Sequence, residues 1–238
     1  MKNIWTITRR ELKAYFASPV AYVVSALFLV AMGYLFALIL QISRDASLRG
    51  LFQNMIFILL LLAPALTMRL LAEEQRMGTI ELLLTSPVHD WQVVVGKFLG
   101  SLILYTVMLL GPTLYYVLIL HVFGPPDYGP IATGYLGVLL LGASFLSVGV
   151  FTSALTQNQV IAYFAGLVIL ILLWIADAAS NLAGTGAIAD VLNYVAITRH
   201  YDDFFRGVVD TTDIVYSLSM IAVSLFAATQ LLQMRRWR

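Results

Sequence analysis

Glu73, Glu74, Arg76, Glu81, His89 and Asp90 crowd into one short stretch, AEEQRMGTIELLLTSPVHDWQVVVGK at 72–97, between two long apolar runs. Carboxylates beside an imidazole are the raw material of acid–base and metal chemistry, so the spacing has to be examined first. It assembles neither. No His-Glu-x-x-His pair occurs, and no His or carboxylate cluster has the spacing of metal ligands. Gly96-Lys97 is followed by Phe98 and lacks the preceding glycine of a phosphate-binding loop. The three histidines, His89, His121 and His200, lie in separate segments, with no nucleophile placed beside a base, and cysteine is absent altogether. The expectation is a chain with no catalytic site and no metal or cofactor of its own.

The elements that must position these charges are membrane spans. The 238 residues are 61% apolar and only 11% charged, with a mean hydropathy of +0.88; soluble domains carry roughly 25% charge. A net charge of +1 argues against nucleic acid as a partner. Six segments reach the ~20 apolar residues that a spanning helix needs: about 20–42, 52–71, 93–122, 131–155, 160–176 and 214–232. The third and fourth exceed the bilayer's requirement and must tilt or project. One membrane domain covering 1–238 is expected, with membrane lipids as its surroundings.

Residues 1–18 form an amphipathic pattern rather than a signal peptide. At 100° per residue Ile4, Trp5, Leu12, Tyr15 and Phe16 share one side, and Arg9, Arg10 and Lys13 the other. This predicts a helix lying in the membrane interface and ending at Ser18-Pro19. Lys and Arg set the orientation. With the N-terminus cytoplasmic, Lys2, Arg9, Arg10, Lys13, Arg69, Arg76, Lys97, Arg235, Arg236 and Arg238 are inside, against Arg44, Arg49, Arg199 and Arg206 outside. Both termini are expected in the cytoplasm. Asp177 is placed at the outer end of the fifth span, and the spans otherwise read as nearly free of ionisable groups. Gly96-x-x-x-Gly100 and Ala143-x-x-x-Ser147 offer close-approach faces for a second subunit.

Read locally, the stretch 72–92 is an elbow. Gly78 permits a break, Thr79 can cap a short helix with Glu81 in its first turn, and Ile80, Leu83 and Leu84 share a face. Ser86-Pro87 then starts the next helix, where Asp90 complements the dipole. Periodicity leaves open whether such an elbow moves as a lever or packs as a passive surface helix. Outside, 178–212 reads as two short helices near 188–196 and 200–208, ended by Gly207, with Thr211 and Thr212 capping span six. Arg206 and Asp210 would pair if the second helix outlasts Gly207. For Phe204 and Phe205, packing is favoured over substrate contact.

The run EEQRMGTIELLLTSPVHDWQVVVGKFLG, with TRRELKAYFASPVAYV, LTQNQVIAYF and DDFFRGVVDTTDIVYSLS, resembles the ABC-2-type permeases, the membrane subunits of ATP-binding-cassette transporters, and within them the gliding-motility-associated branch. The resemblance implies an all-α membrane protein of six transmembrane helices with an N-terminal amphipathic interfacial helix, a type V exporter-like fold. It implies a multi-pass protein of a bacterial or archaeal inner membrane, paired with a second permease subunit as a homodimer. A separate cytoplasmic ATPase subunit would carry ATP and Mg. By residue, Glu73, Glu74, Arg76, Gly78, Thr79 and Glu81 would line the coupling region, with Thr85, Ser86, Pro87, His89 and Asp90 beside the ATPase. The segment 178–212, with Phe204, Phe205, Arg206 and Asp210, would form re-entrant helices closing an external gate. The contrasting expectation is a scaffold or channel component that works without an ATPase.

Overall fold

The computed structural model describes residues 2–43, 47–79, 88–184 and 186–236, and the described residues are helical throughout with short connections. Glu81, Thr85, Ser86 and Pro87 lie outside them. The helices are α1 (Lys2–Ala17), α2 (Pro19–Ser43), α3 (Arg49–Thr67), α4 (Ala72–Arg76), α5 (Asp90–Leu110), α6 (Thr113–Phe123), α7 (Tyr128–Leu155), α8 (Gln159–Ala183), α9 (Ala187–Val195), α10 (Arg199–Phe205) and α11 (Thr211–Arg236). Among the described residues six stretches are long and apolar enough to cross a membrane: Pro19–Ile42, Arg49–Arg76, Asp90–Val122, Tyr128–Leu155, Gln159–Leu182 and Thr211–Met234. An even number of such stretches puts Lys2 and Arg236 at one end, here called the terminal end.

The bundle is organised around α7, whose residues from Leu141 to Val150 are all buried. Between helices that share a hydrocarbon solvent, close packing must come from shape, and small residues provide it. A Cβ added at Gly134 would meet the Phe52 ring of α3 at 2.2 Å, one at Gly137 would meet Phe204 of α10 at 2.7 Å, and one at Gly142 the Tyr105 ring of α5 at 2.3 Å. At Gly149 it would come within 1.9 Å of the Thr67 hydroxyl. Each of these four glycines on α7 is thus the socket for a larger side chain of a neighbour. By contrast α2, α8 and α11 present exposed Val30, Tyr34, Phe164, Leu172, Val223 and Phe226 outward, as lipid-facing helices do.

Several boundaries differ from the sequence expectation. Span two does not continue as one helix to Gly78. It contains Pro64, stops at Thr67, turns, and resumes as the five-residue α4. The Ser153 hydroxyl holds this turn, accepting from the Leu71 and Ala72 amides at 3.0 Å each and donating to the Met68 carbonyl at 2.9 Å. Gly78, at φ 69°, does end the segment. The long third span is interrupted at Gly111-Pro112, where a proline cannot continue the amide ladder. The fifth span extends to Ala183, so Asp177 lies within α8 rather than at its end. The external helices fall close to expectation at Ala187–Val195 and Arg199–Phe205, with Gly207 at φ 92°.

The α7 sockets generate a packing test. Overpacked cores lose typically about 1–3 kcal/mol. Gly142→Leu should fall at the upper end of that range, because the Tyr105 ring it meets is 1% exposed and its hydroxyl is anchored to the Val138 carbonyl at 2.7 Å. Thermal unfolding in detergent should show a clear drop for Gly142→Leu and none for Gly33→Ala, where nothing lies within 4 Å of the new methyl.

Candidate functional site

At the terminal end α1 runs beside the first half of α5, from Asn3, whose side-chain amide donates to Gln92 Oε1 at 3.4 Å, to Tyr15. Thr8, Glu11 and Tyr15 are buried, with Ile4 half-buried on the same stripe. Gly96 and Gly100 make the contact possible, since a Cβ at either would stand 2.8 Å from Ile7 or Glu11. Thr8 Oγ1 donates to the Gly96 carbonyl at 3.1 Å, and Tyr15 Oη donates to the Leu66 carbonyl at 2.8 Å. Burial keeps the Tyr15 phenol far above its ordinary pKa, so it stays a donor. Two expectations are corrected. The Gly96-x-x-x-Gly100 face is filled by this chain's own α1, and Ala143 and Ser147 are likewise buried inside the bundle. The buried stripe is also rotated from the apolar one, leaving Trp5 62% and Phe16 56% exposed.

The reason for the rotation is electrostatic. Lys97 of α5 is 1% exposed, and its ammonium lies 2.7 Å from Glu11 Oε1 of α1 and 2.9 Å from Glu74 Oε1 of α4. Arg10 Nη2, at the exposed rim, stands 3.6 Å from the same Glu74 oxygen. One ammonium between two carboxylates leaves a net negative charge that Arg10 offsets. Such a group persists in a buried place only while all partners remain, because removing one strands a desolvated charge. It therefore locks α1, α4 and α5 together. Glu74 Oε2 has no hydrogen-bond partner and so retains an unused acceptor.

Of the other residues expected in the coupling region, the described ones lie on α4, just after it, or at the start of α5. Gln75, not singled out from sequence, donates through Nε2 to the Ala154 carbonyl at 3.1 Å, tying α4 to α7. Glu73 is half-buried, Thr79 Oγ1 donates to the Glu74 carbonyl at 3.4 Å, and exposed Arg76 borders a cleft of about 650 Å³ with Thr156, Gln157 and Asn158. His89 is exposed ahead of α5, its amide donating to Gln92 Oε1 at 3.3 Å, while Asp90 is buried with Oδ1 unpartnered. The clamp was hidden in the sequence because Glu11 and Lys97 are 86 positions apart.

At the opposite end Phe204 and Phe205 are buried, Phe205 stacking on Phe52 at 5.7 Å. Arg206 pairs with Asp202 rather than Asp210, because the helix has already ended. Asp210 instead caps α11, accepting from the Thr212 amide at 2.8 Å, and that bond holds its carboxyl below the usual range. Asp177 receives Arg199 Nε at 2.6 Å. These two, with Gln53, Asn54, Phe57 and Trp174, line a cleft of about 620 Å³ between α3, α8 and α10. His200 and Asp213, buried and 2.8 Å apart, form a polar contact between α10 and α11 that sequence reading did not find. Among the described residues no group of three or more His, Asp or Glu could hold a metal.

Comparison with known proteins places this arrangement. The model of the ABC-2 family transporter proteins matches residues 5–236. The permease YbhR of Escherichia coli, strain K12, named "Probable multidrug ABC transporter permease", is 30% identical over 88 residues, and so is its counterpart in strain O157:H7. Each match takes in 37% of this chain and 23% of the relative, so the similarity reaches less than a quarter of those proteins. The match reaches the family and does not select the gliding-motility-associated branch within it. With a family match across nearly its whole length and six spans in its fold, the chain belongs to the ABC-2 family of transporter proteins, as a multi-pass membrane permease.

Proposed function

We propose that the chain is the permease subunit of an ATP-driven exporter, working as a homodimer with a separate cytoplasmic ATPase, and that 72–92 receives the push of that ATPase. The single observation that supports this reading most is the clamp: Lys97 links the segment after span two to span three and to the N-terminal helix. A surface segment with no mechanical role needs no buried ammonium to hold it. In this reading the terminal end is cytoplasmic, as the ten Lys and Arg residues assigned to it favour. ATP and Mg reside on the partner, and this chain supplies no catalytic group.

Force delivered to the segment has two routes into the spans. One runs from Glu74 through Lys97 to α1 and α5. The other runs through the Ser153 hydroxyl and Gln75 to the end of α7. Either displaces the glycine-socketed α7 against α3 and α8, which carry the cleft at the far end. An aromatic pair there, Phe57 and Trp174 at 6.2 Å, beside the Asp177–Arg199 ion pair, suits an amphipathic substrate. The name of the YbhR relatives, probable multidrug permeases, agrees with that class.

Two measurements test the reading. The chain should co-purify with an ABC ATPase and stimulate its hydrolysis; a chain that transports with no nucleotide dependence would favour the scaffold or channel alternative. Lys97→Met should cost about 3–5 kcal/mol of stability by stranding Glu11 and leaving Glu74 with Arg10 alone at the rim. Glu11→Leu, Glu74→Leu and Lys97→Met combined should recover most of that stability in detergent melts and still leave stimulated ATP hydrolysis low. Full stimulation in the triple variant would remove the clamp from the coupling path.

A further inference from the structure

We propose that the groove between α1, α2 and α5 holds one acyl chain of an anionic phospholipid, with the lipid phosphate bound by Arg9 and Lys13. The groove has a volume of about 490 Å³ and is bordered by Phe16, Tyr22, Ser25, Leu29, Val107 and Met108. That is the size of a small-ligand site, and Phe16, Tyr22 and Val107 are each more than half exposed within it. Two of its walls, α2 and α5, belong to membrane-spanning stretches, so hydrocarbon is what surrounds it.

Apolar lining alone gives no preference for one lipid, because an acyl chain leaving the bilayer for a groove exchanges one hydrocarbon setting for another. Selectivity has to come from the headgroup, and α1 supplies it. The crossing stretch that begins with α5 has 33 residues against the ~20 a bilayer needs, and α1 packs along its start, Thr8 against Gly96, so a bilayer whose edge meets α2 at Pro19 leaves α1 beside the projecting turns of α5. Taking 100° and 1.5 Å per residue, Lys13 lies about 60° round from Phe16 and ~4.5 Å further from the membrane, and Arg9 about 20° round and ~10 Å further. Both are exposed. Arg10, on another face, is occupied with Glu74. In that placement the two cations stand outside the groove, beyond Phe16 at its rim and toward the bilayer edge, where a phosphate whose acyl chain fills the groove would meet them, the arrangement by which basic helices select anionic lipid.

The site also bears on the clamp, since α1 presents Glu11 to Lys97 from its other face. A lipid pressed against Phe16 and Lys13 would hold α1 in the position that the ion group requires.

Native mass spectrometry of the full-length purified chain tests this, using phosphatidylglycerol and phosphatidylcholine with identical acyl chains. Retention of phosphatidylglycerol should exceed that of phosphatidylcholine by at least tenfold, and Arg9→Gln with Lys13→Gln should abolish the preference without changing the melting temperature. Val107→Trp, which fills the groove, should lose the bound lipid; the surface double variant keeps the test decisive if that chain folds poorly. Equal retention of the two lipids, or a preference that survives the double variant, would overturn the proposal. So would inorganic phosphate competing as well as the lipid, which would mark a free-anion site, or efficient Val107→Cys crosslinking between two copies, which would mean that protein covers the groove.

Discussion

A single buried ammonium constrains the terminal half of the molecule. Lys97 cannot remain in an apolar bundle without its carboxylates, and those carboxylates arrive on two other elements, Glu11 on α1 and Glu74 on α4. Three segments are therefore fixed by one requirement, that no charge be left desolvated and alone. The requirement explains details that apolar packing leaves unexplained. It turns α1 so that an acid faces inward while Trp5 and Phe16 face out, and it places glycines at 96 and 100 so that the acid can come close.

The rest of the bundle transmits what this clamp holds. α7 touches its neighbours through glycine sockets and hydroxyl bridges, a geometry with little slack, so displacement at its terminal end is carried along its length. The turn between α3 and α4 is held by Ser153 of α7 rather than by continuous helix, which makes it a joint between rigid pieces. A joint beside a buried ionic lock, on the face where an ATPase is proposed to dock, suits a part that must move without unfolding.

Much of the architecture is legible in the sequence because the signals are local. Apolar runs such as 20–42 and 214–232 find their spans directly, Gly78 and Gly207 mark their breaks by the backbone they permit, and the short external helices follow from periodicity and caps. What is not legible is tertiary. Lys97 reads as a boundary residue until Glu11 and Glu74 are brought to it. Gly96 and Gly100 read as a close-approach face for a second subunit until α1 is found lying on it. Asp210 reads as a partner for Arg206 until Gly207 ends the helix and turns it into a cap. In each case the residue type announces a need, and only the fold shows which distant group meets it.

The central claim is that motion of the segment after span two reaches the N-terminal helix through Lys97. The chain has no cysteine, so spin labels can be placed at will, at Lys13→Cys on α1 and Asn158→Cys on the α7–α8 turn. The distance between them should be measured in the ATPase complex with and without trapped nucleotide. The account predicts a shift on trapping that disappears when Lys97→Met is added. A shift of the same size in both chains would contradict it.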